Sequence, residues 1–255
     1  MNVILDLDGV IWLADQPIAG SPEAVGRLRR AGHRLLFLTN NSNPTVAHLV
    51  DKLAGMGIEA APEQIATSSQ AAAALVAPGA TALVCGGPGV VEALAARGAE
   101  TVTEGPADAV VVGFHREFDY GRLTAAFRAI AGGAVLIGTN DDTTYPTPSG
   151  PVPGGGAILA AVAAAGGVEP VVAGKPYQPM ADLVHARLGT GGPTVLIGDR
   201  PSTDGLMARR LGVPFVLVLS GVTTEEPIAP EAAPALVAAR LADVVGPDGQ
   251  VQESA

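Results

Sequence analysis

Short apolar runs rich in Val, Ile and Leu recur along the chain, at 3–5, 35–38, 82–85, 109–112, 134–137, 171–173, 194–197 and 215–219, and each closes on a polar or glycine-rich turn. They show no polar alternation, which is the pattern of strands buried on both faces. The stretches between them read as helices, at 22–31, 44–56, 90–97, 120–131, 157–165, 179–188 and 203–211, and several open on Ser, Asp or Pro and close on Gly. Strand alternating with helix predicts an α/β fold built on parallel sheet.

The middle of the chain repeats this pattern by itself. Residues 70–174 hold their own series of strands and helices, with glycine turns at 86–89 and 154–156. The reading is therefore an α/β domain, 70–174, inserted into a first domain made of 1–69 and 175–255. A length of 255 residues with 48% hydrophobic residues is enough to bury two such cores. The tail after Gly246 has no apolar period and is expected to fray.

Charge and cysteine usage narrow the partners. Fifteen Lys+Arg against 25 Asp+Glu give a net charge of −10, a field that repels phosphodiester backbones and anionic membranes. Nucleic acid and membrane are excluded as partners on that ground, and any anionic ligand must be held by a local site. The most apolar stretch, 157–167, is far shorter than the roughly 20 residues that a bilayer demands. The N-terminus carries no basic region followed by an apolar stretch, so a cytoplasmic protein is expected. Cys85 is the only cysteine and His33, His48, His115 and His185 are scattered, which removes disulfide scaffolds and structural zinc.

The candidate chemistry gathers where strands end. Ligands of open parallel sheets bind beyond the carboxyl ends of the strands. Four of the outer runs lead into Asp6-Leu7-Asp8-Gly9-Val10, into Thr39-Asn40-Asn41-Ser42, into Gly174-Lys175-Pro176, and into Asp199 with Asp204 five residues on. Carboxylates crowded in one crevice repel one another unless a cation sits among them. With oxygen ligands and neither imidazole nor thiolate, that cation is a hard one, and Mg²⁺ is the natural candidate. Asp6 could then attack phosphorus. Asp8 could protonate the departing alcohol and later take a proton from water. Thr39 offers a hydroxyl, the backbone N–H groups of Asn40 and Asn41 can hold phosphate oxygens, and Lys175 adds a positive charge.

Taken in order, Asp6-Leu-Asp8-Gly-Val, Leu-Thr39-Asn40-Asn-Ser, Gly-Lys175-Pro and Gly-Asp199-Arg-Pro-Ser-Thr-Asp204 resemble the four signature motifs of the haloacid dehalogenase superfamily. Asp-Gly-Val-Ile-Trp12, the insertion after the second motif, Val110-Val-Val-Gly-Phe114, Thr139-Asn140-Asp141-Asp142 and Leu219-Ser-Gly-Val-Thr223 resemble its branch of nitrophenyl, phosphoglycolate and glycerol phosphate phosphatases, subfamily IIA. The resemblance covers nearly the whole chain. It implies a Rossmann-like core with an α/β cap, and a phosphatase of a small phosphorylated metabolite working through an aspartyl-phosphate. It implies Asp6 as nucleophile and Asp8 as acid/base. Mg²⁺ would be bound by Asp6, the Asp8 carbonyl and Asp199, with Asp204 in support. Thr39, Asn40, Asn41 and Lys175 would hold the phosphoryl group. Asn140 and Asp142 would be the cap segment that meets substrate, and relatives can pair into homodimers through their caps. Two departures bear on substrate choice: Asp141 replaces a usual proline and His115 a usual acid.

Other readings stand beside this one. A receiver-like phosphoaspartate switch uses the same carboxylate, Mg²⁺, Thr and Lys chemistry, and a phosphosugar mutase uses the same scaffold. Gly86-Gly-Pro-Gly89 reads as a turn more readily than as a nucleotide cradle, because no full glycine fingerprint accompanies it. Cys85 reads as a small core residue. Trp12 is expected to pack behind the first motif, and His115 either touches substrate or lies on the surface.

Overall fold

The computed structural model describes residues 1–145, 150–221, 223 and 230–252. Val222 of the Leu-Ser-Gly-Val-Thr stretch and the last three residues of the tail lie outside them. The described chain divides into two compact units.

The first unit comprises Met1–Thr39, Ala47–Ala66 and Val184–Ala255. It is organised on a six-stranded sheet in the order Leu236–Ala238, Phe215–Val218, Thr194–Gly198, Asn2–Asp6, Arg34–Thr39, Ile65–Thr67. The central strand Asn2–Asp6 is parallel to both neighbours, pairing Leu5 with Ile197 and Asp6 with Leu38. All five of its residues are buried, as is the run Val195–Gly198 beside it, so the absence of polar alternation in the sequence reports burial on both faces. Helix Ser21–Arg30 turns Ala24, Val25 and Leu28 inward and carries arginines in its last turn, where positive charge suits the helix dipole.

The second unit comprises Asn40–Val46 and Thr67–Leu183. Its sheet has five strands in the order Val171–Val172, Val135–Gly138, Ala109–Val112, Thr81–Cys85, Glu100–Val102, and every neighbouring pair is parallel. Helices Tyr120–Ala131 and Gly155–Gly166 pack with it around Leu83, Cys85, Val110, Val112, Ile130 and Val162. Cys85 is a buried free thiol, and burial pushes its ionisation up to about 11.

By contacts within the chain, the second unit takes in Asn40–Val46 and runs to Leu183, so Gly174-Lys175-Pro176 groups with it. Two expectations change. The glycine stretch 154–156 is a helix start rather than a turn: Gly154 is the N-cap of Gly155–Gly166, and a β-carbon on Gly154 or Gly156 would fall on the backbone of Asp142 or Asp141. The tail does not fray up to Gln252. Gly246 donates to the Gln250 carbonyl at 2.9 Å, Val245 and Val251 bridge, and His33 Nε2 lies 3.0 Å from the Gly249 carbonyl. These bonds need no apolar period, which is why composition missed them. No helix among the described residues is long and apolar enough to cross a membrane.

Candidate active site

In the first unit, register places the chemistry at one sheet edge. Asp6 closes the central strand, Asp199 follows Thr194–Gly198, and Thr39 closes Arg34–Thr39, all at carboxyl ends of parallel strands. Asp204 enters from the π-helical turn Pro201–Gly205, where its backbone N–H donates to the Arg200 carbonyl at 2.7 Å and its Oδ2 accepts from the Arg200 backbone N–H at 3.1 Å. Single π-turns of this kind are often found at functional sites.

Carboxylate oxygens of Asp6, Asp199 and Asp204 lie within 4.8 Å of one another, and all three residues are buried. Three negative charges this close, screened little by water, repel strongly. The donor set consists of hard oxygens alone, and its span is near the roughly 4 Å across a magnesium oxygen shell. These residues therefore fit a small hard divalent cation. The Asp8 carboxyl group is not in the cluster. Its Oδ1 accepts a hydrogen bond from Trp12 Nε1 at 3.0 Å.

Glycines make room for these groups. Gly9 has φ +84°, and a β-carbon there would fall on the Asp199 carboxylate. The Asp-x-Asp-Gly pattern thus joins a turn that only glycine makes cheaply to an approach that only glycine permits. A β-carbon on Gly221 would also strike Asp199, and one on Gly198 would strike Asp204. Ser220 Oγ donates to the Gly9 carbonyl at 2.7 Å and ties these loops together. Gly198 and Gly221 lie inside the quoted stretches Gly-Asp199-Arg-Pro-Ser-Thr-Asp204 and Leu219-Ser-Gly-Val-Thr223, but sequence alone assigns neither a role.

In the second unit, the side chain of Asn40 grips the backbone of Lys175 from both sides. Lys175 N–H donates to Asn40 Oδ1 at 2.7 Å, and Asn40 Nδ2 donates to the Lys175 carbonyl at 3.1 Å. Asn40 Nδ2 also donates to Asp142 Oδ2 at 3.0 Å. Asn140 is buried, with Nδ2 donating to the Asn40 carbonyl at 2.7 Å and Oδ1 accepting from Asp142 N–H at 3.1 Å, so it braces this segment. Lys175 is 2% exposed, and the glycine before it is required because a β-carbon on Gly174 would strike the Thr139 carbonyl and Asn40 Oδ1. Asn41 Nδ2 donates to the Tyr145 hydroxyl at 3.4 Å. Asn40 was expected to act through its backbone N–H; its side chain has this separate task, which no motif spacing reveals.

The remaining candidates are settled locally. A β-carbon on Gly87 would strike the Asn43 side chain and one on Gly89 the backbone of Ser42 and Pro44, and Gly89 N–H donates to the Asn43 carbonyl at 2.9 Å; the segment Ser42–Pro44 fills the would-be nucleotide cradle. Asp141 accepts a hydrogen bond from the Tyr177 hydroxyl. His115 is buried, which corrects the surface reading. Its Nδ1 faces the Gly113 carbonyl at 3.2 Å, Nε2 has no partner among the described residues, and burial pushes its ionisation down.

Residues 3–100 match a family model described as haloacid dehalogenase-like hydrolase, and residues 172–244 match a second described as HAD-hydrolase-like. The chain is 34% identical to glycerol-3-phosphate phosphatase of Gallus gallus, over 89% of this chain and 82% of that one. It is 35% identical to D-glycerol 3-phosphate phosphatase of Mycobacterium tuberculosis, over 87% of this chain but only 64% of that protein's length. The crystal structure of glycerol phosphate phosphatase from M. tuberculosis in complex with magnesium superposes with a TM-score of 0.86 at 32% identity, covering 94% of this chain and 74% of that one.

Proposed function

Because the chain belongs to the haloacid dehalogenase-like hydrolase family, we propose that it is a Mg²⁺-dependent phosphatase of a small phosphomonoester, such as phosphoglycolate or glycerol phosphate, acting through an aspartyl-phosphate on Asp6. The observation that carries this reading is the buried cluster of Asp6, Asp199 and Asp204 at the carboxyl ends of parallel strands. A carboxylate there can attack phosphorus while its neighbours hold the cation that offsets their charge.

The steps follow from the side chains. An Asp6 carboxylate oxygen bonds to phosphorus as the bond from phosphorus to the ester oxygen breaks, and Asp8 gives its proton to that departing oxygen. Asp8, now ionised, takes a proton from water as the water oxygen attacks phosphorus. The bond to Asp6 then breaks and inorganic phosphate leaves. Thr39, the backbone N–H groups of Asn40 and Asn41, and Lys175 hold the phosphoryl oxygens, with Lys175 set by Asn40. Asp6, the Asp8 carbonyl, Asp199 and Asp204 would hold Mg²⁺, which when bound would offset the negative charge of the phosphoryl group and carboxylates. We assign the catalytic role to 1–69 with 175–255, and substrate choice to 70–174 as a cap that pairs protomers, with Asp142 as a substrate contact.

Steady release of phosphate from nitrophenyl phosphate, many equivalents per protein and arrested by chelator, is the expected result. One equivalent only would indicate a receiver-like switch, and conversion of a sugar phosphate without net phosphate loss a mutase. Full turnover in excess chelator would remove the metal from the reading. A panel of phosphoglycolate, glycerol phosphate, sugar phosphates and nucleotides then ranks the esters.

Gly221→Ala tests the metal site without replacing any ligand residue. The new β-carbon would fall on the Asp199 carboxylate and displace it. The expected outcome is a rise of about 10- to 100-fold in the Mg²⁺ concentration for half-maximal turnover, as for other residues that orient metal ligands. An unchanged Mg²⁺ titration would count against Asp199 as a ligand.

A further inference from the structure

The turn after the first strand does more than pass the chain onward. Leu7 accepts from Ile11 and Trp12 N–H at 2.9 and 3.2 Å, and Gly9 N–H donates to the Trp12 carbonyl at 2.7 Å. This closure brings the indole of Trp12 beside Asp8, and Nε1 donates to Asp8 Oδ1 at 3.0 Å. Trp12 is 2% exposed. Lys52, from helix Val46–Gly55, places Nζ 4.5 Å from the ring centroid. The same Nζ donates to the Ala14 carbonyl at 2.6 Å and to Asp15 Oδ1 at 3.2 Å, so the cation over the ring is tied to the hairpin that carries the ring.

We propose that Trp12 is the positioning residue for Asp8: its indole N–H fixes the carboxyl group through Oδ1 and so presents Oδ2 as the proton donor to the leaving oxygen, while Lys52 holds the indole in place. An indole N–H is a donor only and cannot take the carboxyl proton itself. An oxygen that already accepts this bond is the poorer seat for that proton, so the transferable proton sits on Oδ2. The inference rests on the acid/base role proposed above for Asp8.

Trp12→Phe keeps a ring in the buried space and deletes only the donor and part of the indole. The measurement is kcat/KM on phenyl and nitrophenyl phosphate, which covers the steps up to loss of the alcohol. Phenolate, with a pKa near the roughly 10 of tyrosine, needs a proton as it leaves, whereas the far more stable nitrophenolate hardly does. Trp12→Phe is expected to lower kcat/KM for phenyl phosphate about tenfold more than for nitrophenyl phosphate, a fraction of the 10²–10⁴ typical of general acid catalysis. Lys52→Met is expected to act in the same direction and less. Equal loss on both esters, or no loss, overturns the proposal while leaving the role of Asp8 intact. Asp8→Asn distinguishes the two failures: if it retains kcat/KM on phenyl phosphate, the acid/base role falls and this proposal with it. If Trp12→Phe does not fold, the emission of Trp12, the single tryptophan, decides. A spectral shift in Asp8→Ala, which removes the acceptor, is expected, and an unchanged spectrum overturns the contact.

Discussion

Asp6→Asn is expected to abolish phosphate release and to leave the fold standing. The amide is isosteric with the carboxylate, so the buried strand end keeps its packing. What it removes is the nucleophile and one oxygen ligand of the cluster. Loss of a group on which a covalent route depends costs on the order of 10⁴- to 10⁶-fold in kcat, well beyond the effect of any supporting residue. Stability moves the other way. Asp6, Asp199 and Asp204 carry charges within 4.8 Å of one another, and a neutral amide relieves that repulsion when no cation is present. The variant should therefore melt no lower than the parent in chelator, and should gain less from added Mg²⁺, since the stabilisation from binding to the native state rises with the logarithm of affinity. Phosphate release and thermal melts with and without Mg²⁺ check both halves. Turnover within tenfold of the parent would remove Asp6 as nucleophile, and an undiminished Mg²⁺ shift would remove it as a ligand.

The parts of the molecule that sequence reveals are those governed by burial. Asn2–Asp6, Arg34–Thr39 and Ala109–Val112 are buried almost throughout, so each leaves an unbroken apolar run. Ile65–Thr67, Glu100–Val102 and Leu236–Ala238 are three-residue strands at sheet edges, too short to show any period, and none of them was expected. The hairpin Trp12–Leu13 with Gln16–Pro17 is shorter still and ends on a proline. The same division runs through the site. Asp6, Thr39 and Asp199 stand at the ends of long strands, where position alone suggests chemistry. The grip of Asn40 on Lys175 spans 135 positions, and the contact of Gly221 with Asp199 depends on how a loop returns; neither leaves a local pattern. Helix Gly155–Gly166 shows the converse: its glycines read as a turn because turns are their common use, whereas here they admit the backbone of Asp141 and Asp142.

That long-range grip makes the second large prediction. Lys175→Met keeps most of the buried stem and removes the charge, and a loss of about 10²- to 10³-fold in kcat/KM is expected, as for other donors aimed at developing negative charge. Asn40→Ala leaves its own backbone N–H in place for a phosphate oxygen. It deletes the two bonds that hold the Lys175 backbone and the bond to Asp142. At roughly 1 kcal/mol net for each bond, local stability falls by about 2–3 kcal/mol, and the lysine loses its fixed position. The expected activity of Asn40→Ala is therefore close to that of Lys175→Met, although the two changes share no atoms. If the asparagine side chain acts only through the lysine, the double variant is no worse than Lys175→Met alone, a coupling of about 3–4 kcal/mol in a double-mutant cycle. Losses that multiply instead, to on the order of 10⁴- to 10⁶-fold, would show that the Asn40 side chain serves the reaction independently of Lys175.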